Sequence, residues 1–276
     1  PSAVPSSYRR NESFITLFTS WNTFPERFEV YNNTLLNWPL LQPSVNLILF
    51  TDDDVPDTYR LLGWTILPIK RKIKGYPVLK HLFLEAMQQR PFSKLYAFSN
   101  GDLLFTDSFV KTLVNVVNSS YLQQKPYMIV GRRMNTPNIT KKEARSWENI
   151  ARAAKWGELM NERWGIDYFI TPPKYHWKDI PELQIGQNYY DNWLVYDARQ
   201  MGYDVVDVTE TLLAVHQNSL YPKDQVSMNN NLGYLTVSRG TIYNKGVVPC
   251  CAFYTFQKGN TITLGRKKVI PDYCKK

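Results

Sequence analysis

A few groups of residues in this 276-residue chain have the types and spacing to do chemistry. Asn100-Gly101-Asp102 follows an apolar run. Its glycine permits a sharp turn that aims an amide oxygen and a carboxylate at one point, a donor set for a hard divalent cation that also holds a diphosphate. Asp52, Asp53 and Asp54 close another apolar run, where they act as turn formers or as acceptors for a ligand. Asp191 opens a helical pattern behind a Gly- and Tyr-containing loop, and reads either as a helix cap or as a general base. His216 directly follows the apolar run 212–215, as a structural histidine or a metal ligand. Arg132 and Arg133 suit bidentate phosphate binding or a solvated pair, and Lys80 is a further cation. The rings of Tyr168, Trp177, Tyr189 and Trp193 match apolar sugar faces and core packing equally well.

Such residues act together only if a scaffold ends its strands along a common edge. The apolar runs 14–18, 45–50, 64–67, 94–98 and 127–130 read as strands, and 24–41, 78–89 and 108–119 as helices between them. That alternation predicts an α/β fold with a mostly parallel central sheet and flanking helices, whose ligands bind beyond the carboxyl ends of the strands. Residues 141–162 read as one helix, 164–192 as loop, 191–201 as a helix, and 205–208 and 212–215 as strands. From about residue 217 the pattern becomes short polar strands and turns. The expected division is a catalytic domain over residues 1–228 and a small β-rich C-terminal extension, 229–276, packed on it.

Charge and composition narrow the partners. Lys+Arg number 33 against 24 Asp+Glu, a net +9, and 14% of residues are aromatic. Both features suit nucleic acid, yet no zinc-finger spacing, RNP-type motif or basic helix stands out. The glycine fingerprints of P-loop NTPases and Rossmann dehydrogenases are missing, as is a G-x-S-x-G elbow. No run of 18 apolar residues is present. Sequons at Asn11, Asn32, Asn118 and Asn138, and three cysteines, point to the secretory-pathway lumen, with cytosol the alternative. One of Cys250 and Cys251 can close a loop to Cys274, leaving one thiol. A start at Pro1 suggests that a signal, membrane anchor or tag precedes this segment.

The order of these features resembles the GT-A glycosyltransferases over residues 14–221, most of the chain. The resemblance implies a GT-A (nucleotide-diphospho-sugar transferase) fold and transfer of a hexosyl or N-acetylhexosaminyl group from a nucleotide-diphosphate donor, UDP-linked, to a glycan or glycoconjugate hydroxyl in the Golgi. Asn100 and Asp102 stand at the D-x-D position, with Asn100 replacing the first acid. Asp102 and His216 would hold Mn2+ (or Mg2+). Asp52, Asp53, Lys80, Arg132, Arg133, Gly165 and Asp167 would meet the donor. Asp191 would be the base of an inverting reaction, and Tyr168, Trp177, Tyr189 and Trp193 would meet the acceptor. Asn100 also suits a catalytically silent nucleotide- or sugar-binding relative, and the charge leaves a nucleic-acid-binding protein as a third reading.

Overall fold

A computed structural model describes residues 13–21, 27–122, 124–218 and 231–275. Asn11 and the start of the first predicted helix lie outside these residues. In chain order the first elements are β1 (Ile15–Ser20), α1 (Phe28–Asn37), β2 (Val45–Phe50), α2 (Thr58–Leu61) and β3 (Trp64–Leu67). A small hairpin, β4 (Lys72–Ile73) and β5 (Tyr76–Pro77), leads to α3 (Leu79–Gln89), β6 (Leu95–Ser99), β7 (Leu103–Phe105) and α4 (Ser108–Val117). The middle holds β8 (Tyr127–Val130), β9 (Met134–Pro137), α5 (Lys141–Ala144), α6 (Trp147–Ala154), β10 (Glu158–Leu159) and β11 (Tyr168–Thr171). The last elements are α7 (Tyr190–Gln200), β12 (Asp204–Asp207), β13 (Ala214–Asn218), α8 (Arg239–Lys245), β14 (Phe253–Lys258) and β15 (Thr261–Arg266).

Nine of the strands form one sheet in the order β15-β14-β12-β8-β11-β6-β1-β2-β3. Pairing is parallel except where β11 inserts antiparallel between β6 and β8, and at the β14–β15 edge. Period-two alternation splits the side chains between two cores. Ile15, Leu17, Leu47 and Leu49 pack on one face with Leu113 of α4, while Phe18, Ile48 and Phe50 pack on the other with α3 and α7. Leu79, Leu82, Phe83 and Ala86 supply the buried stripe of α3, at the helical spacing the sequence shows. A second sheet, β10-β9-β13-β7, stands at the carboxyl end of the first. The C-terminal residues add β14 directly to β12, so the polar tail prolongs the main sheet.

Two predicted elements are corrected. Residues 141–162 form two short helices and a strand, because Ser146 adopts an extended backbone and caps α6 by accepting from the Asn149 N–H. The predicted loop 164–192 contains β11, whose four residues are all buried. A four-residue run between loops carries too little periodicity to show itself.

Candidate functional site

Antiparallel insertion of β11 brings the start of that strand beside the ends of β6 and β8. Tyr168 pairs with Ser99, and the Asp167 carbonyl accepts the Asn100 N–H at 2.9 Å. On the other side the Arg133 N–H donates to the Gly165 carbonyl at 3.0 Å, and Arg132 bridges Ile166. The chain then leaves β6 through Asn100-Gly101-Asp102 into β7, which pairs with β13, so that His216 lies opposite Leu103. Gly101 is required here, since a Cβ would stand 2.5 Å from the Trp21 ring. Asp102, Asp167, Arg133 and His216 thus come from four separate stretches of chain to one sheet edge.

Asp102 and His216 meet directly, Oδ2 to Nε2 at 3.2 Å, with each side chain 15% exposed. Arg27 approaches the same oxygen at 3.7 Å. Burial pulls the Asp102 carboxyl upward, but the cations of His216, Arg133 and Arg27 outweigh it and hold the group well below the usual carboxylate range. Burial likewise opposes the His216 cation, and its carboxylate partner more than compensates, so the imidazole pKa is raised. Arg133 forms a buried ion pair with Asp167 and donates through Nε to Asn135 Oδ1 at 3.0 Å.

Asp191 is half-buried in the first turn of α7. Burial above all, with the nearby Asp167 carboxylate, pushes its pKa up to about 7. A carboxylate at that value can accept a proton near neutrality, which the ordinary aspartate does poorly. Its neighbour Tyr190 is held as a neutral phenol by burial and by Asp167, and donates to Asn100 Oδ1 at 3.0 Å. Tyr190 thereby ties the helix start to the Asn100-Gly101-Asp102 turn.

The remaining sequence-predicted residues divide sharply. Asp52 accepts from the Ile69 N–H at 2.9 Å and from Lys72, and those bonds lower its pKa. It fastens the turn to the following loop. Asp53 is half-buried, and the Tyr31 phenol lies within electrostatic reach of both it and Asp102. Lys80 stands near Glu182, which Arg71 binds, and no hydrogen bond links it to the cluster among the described residues. Arg132 engages Thr209 through its backbone N–H at 2.9 Å and leaves a buried Nε without a hydrogen-bond partner. Gly165 lies against Met160 and contributes its carbonyl.

The acceptor rings expected at Tyr168, Trp177 and Trp193 are corrected, because all three pack in the cores. Trp177 is 1% exposed, stacks on Phe83 at 3.6 Å and donates its indole N–H to Thr171 at 2.9 Å. Tyr168 meets Phe105 edge-on at 6.2 Å beneath Gly131. Tyr189 is sealed as well, in the left-handed conformation with φ 77 that turns the chain into α7. Arg27, Trp164 and Tyr243 were not singled out by spacing. Arg27 is marked by its approach to Asp102, Tyr243 by its nearness to Asp191, and Trp164 by its ring contact with Tyr243. The cluster of cations around residues 70–72 is tied to acids elsewhere in the chain, Lys70 to Glu85, Arg71 to Glu182 and Lys72 to Asp52.

The donor set at the turn fits a divalent ion in part. Asp102 Oδ1 is buried without a hydrogen-bond partner, beside an imidazole nitrogen 3.2 Å from the other oxygen. Two donors on adjacent octahedral positions, each about 2.1 Å from an ion, stand about 3 Å apart. No group of three or more His, Cys, Asp or Glu suited to a metal occurs among the described residues. Asp102 and His216 alone would therefore have to hold such an ion together with phosphate oxygens and water.

No family model and no curated protein sequence matches the chain. Among solved structures it is similar to S. aureus TarS 1-349, at 8% identity over 44% of this chain and 36% of that one, with a TM-score of 0.30. The chain thus spans about a third of that structure's length. It is similar to the mannosyltransferase PcManGT from Pyrobaculum calidifontis in complex with GDP-Man and Mn2+, at 12% identity over 78% of this chain and 59% of that one, with a TM-score of 0.42. A third likeness is to glucosyl-3-phosphoglycerate synthase from Mycobacterium tuberculosis in complex with Mn2+, UDP and glucosyl-3-phosphoglycerate, at 10% identity over 86% and 77% of the two chains, with a TM-score of 0.42. At these scores no residue role is carried across.

Proposed function

We propose that the protein is a glycosyltransferase of the GT-A type, moving a sugar from a nucleoside-diphosphate donor, UDP-linked, to an acceptor hydroxyl. The observation that carries this reading is the Asp102–His216 pair, with its unpartnered Asp102 Oδ1, sharing the Arg133 cation with a carboxylate at the start of α7 whose pKa is about 7. Asp102 and His216 would hold Mn2+ or Mg2+, which when bound neutralises charge on the departing diphosphate. Arg27 and Arg133 lie close enough to Asp102 to add fixed positive charge there. Asp191 takes the proton of the acceptor hydroxyl as its oxygen bonds to the anomeric carbon. The bond from that carbon to the phosphate oxygen breaks, and the nucleoside diphosphate leaves with the electron pair. Attack from the opposite face inverts the anomeric configuration.

Asn100 favours a second reading, a catalytically silent nucleotide binder, because its side-chain oxygen is engaged by Tyr190 and supplies no carboxylate. Secretory-lumen residence and glycosylation are part of the proposal. They are supported by the sequons and by the Cys250–Cys274 disulfide, a bond typical of oxidising compartments. Calorimetric titration of UDP with and without Mn2+, followed by a nucleotide-sugar hydrolysis panel, tests the function. The expected result is Mn2+-dependent binding that Asp102→Ala abolishes, and hydrolysis of at least one donor. UDP affinity that is equal in the variant sinks the metal assignment. Tight binding with no donor turnover establishes the silent reading.

A further inference from the structure

The residue after Asp191 builds a second wall for the site. Asn192 is 1% exposed and donates through Nδ2 to the Arg163 carbonyl at 3.1 Å and to the Gly246 carbonyl at 2.8 Å. A Cβ on Gly246 would stand 1.9 Å from the Asn192 carbonyl oxygen, so backbone meets backbone where the end of α8 joins α7. One buried amide therefore fastens two separate segments to the start of the helix that carries the base. Each segment delivers an aromatic ring. Trp164 follows Arg163, and Tyr243 projects from α8, their ring centroids 4.8 Å apart. Tyr243 also meets Tyr189, just before α7, at 4.9 Å, and the Arg239 guanidinium lies 5.2 Å over the Tyr189 ring. Tyr189 is sealed and supports the others, whereas Trp164 is 49% exposed and Tyr243 half-buried. Burial, Tyr189 and the Asp191 carboxylate together keep the Tyr243 phenol protonated.

We propose that Trp164 and Tyr243 form the acceptor platform, and that the acceptor presents a saccharide ring. Its apolar C–H face lies on the exposed indole, and the Tyr243 hydroxyl bonds one of its hydroxyls while another turns to Asp191. Rings already held in place lose little entropy when they are covered, and an amphipathic aromatic suits a ring that is apolar on its faces and polar at its rim. The inference rests on Asp191 being the base, and it replaces the core rings Tyr168, Trp177 and Trp193 as acceptor contacts.

Saturation-transfer NMR and calorimetry test it with four probes: methyl β-glucoside, methyl β-galactoside, methyl α-mannoside and methyl N-acetyl-β-glucosaminide. Each is titrated with and without UDP and Mn2+. At least one is expected to bind wild type, to bind Trp164→Ala and Tyr243→Ala at least about tenfold more weakly, and to bind Tyr243→Phe at an intermediate strength. UDP affinity in Mn2+ stays the same in all three variants. Absence of saccharide binding in both conditions, or equal binding by Trp164→Ala, overturns the platform. Loss of UDP binding in wild type alone strikes at the transferase reading and leaves the platform standing.

Discussion

Replacing Asp191 with asparagine removes a charge that the fold holds at a cost, and the size of that cost follows from its environment. Raising the carboxyl from an ordinary 3.8 to about 7 penalises the charged folded state by about 4 kcal/mol, at 1.36 kcal/mol per pH unit. A carboxylate whose folded pKa is raised is protonated in the folded state when it is charged in the unfolded one. The penalty is therefore absent below about pH 4, grows as pH climbs towards 7, and is constant beyond. Between pH 5 and pH 8 it grows by roughly 2–3 kcal/mol. Asp191 is only half-buried, so solvent relaxes part of this and about 1–2 kcal/mol is expected. Urea unfolding of wild type and Asp191→Asn at pH 5, 6, 7 and 8 reads the difference. The variant should gain on wild type steadily from pH 5 to about pH 7 and little beyond, while keeping UDP binding and losing transfer. A stability gap that stays flat with pH, or transfer near the wild-type rate, refutes the assignment of a strained base.

Three further outcomes follow from the packing. Arg133→Met leaves the buried Asp167 carboxylate unpaired and should cost about 3–5 kcal/mol in thermal or urea unfolding, while Arg132→Met costs less than about 1. Trp177→Ala empties a core position and should lose about 3–5 kcal/mol, so unchanged stability would return that ring to the ligand. Cys250→Ser opens a loop of 24 residues and should lose about 3 kcal/mol, and in the native protein Cys251 should resist thiol reagents until the chain unfolds.

Sequence pattern revealed the parts of this molecule whose physics is local. The strands 45–50, 64–67 and 127–130 lie where their apolar runs begin and end, because a buried strand is a short uninterrupted hydrophobic segment. Asp102 and Asp191 were legible because one follows a strand and the other opens a helix, positions at which a polar residue calls for a reason, whereas His216, expected just past the run 212–215, lies within β13. Long-range pairing was not legible. Nothing in Asp167 or Arg133 announces that 34 residues of chain close into a buried ion pair. Trp164 and Trp177 look alike in composition, yet one stacks on Phe83 inside the core and the other stands in solvent. Burial is a property of the neighbours, and the periodicity of an irregular segment does not report it.

The antiparallel strand β11 has a consequence for how this protein comes into being. Strands β6 and β8 touch β11 on its two sides, so the early strands β1, β2, β3 and β6 have no direct pairing with β8, β12, β14 and β15. A ribosome delivers β6 and β8 before residue 168, and during that interval the growing chain holds the half-sheet β6-β1-β2-β3 and the single strand β8, whose main-sheet neighbours β11 and β12 are both still to come. The strand that joins them is also the one that delivers Asp167 to Arg133. Zipping the sheet and charging the site are therefore one event. A chain interrupted before β11 would expose the β6 edge, an unpaired β8 strand and an Arg133 without its carboxylate together, a form prone to aggregate.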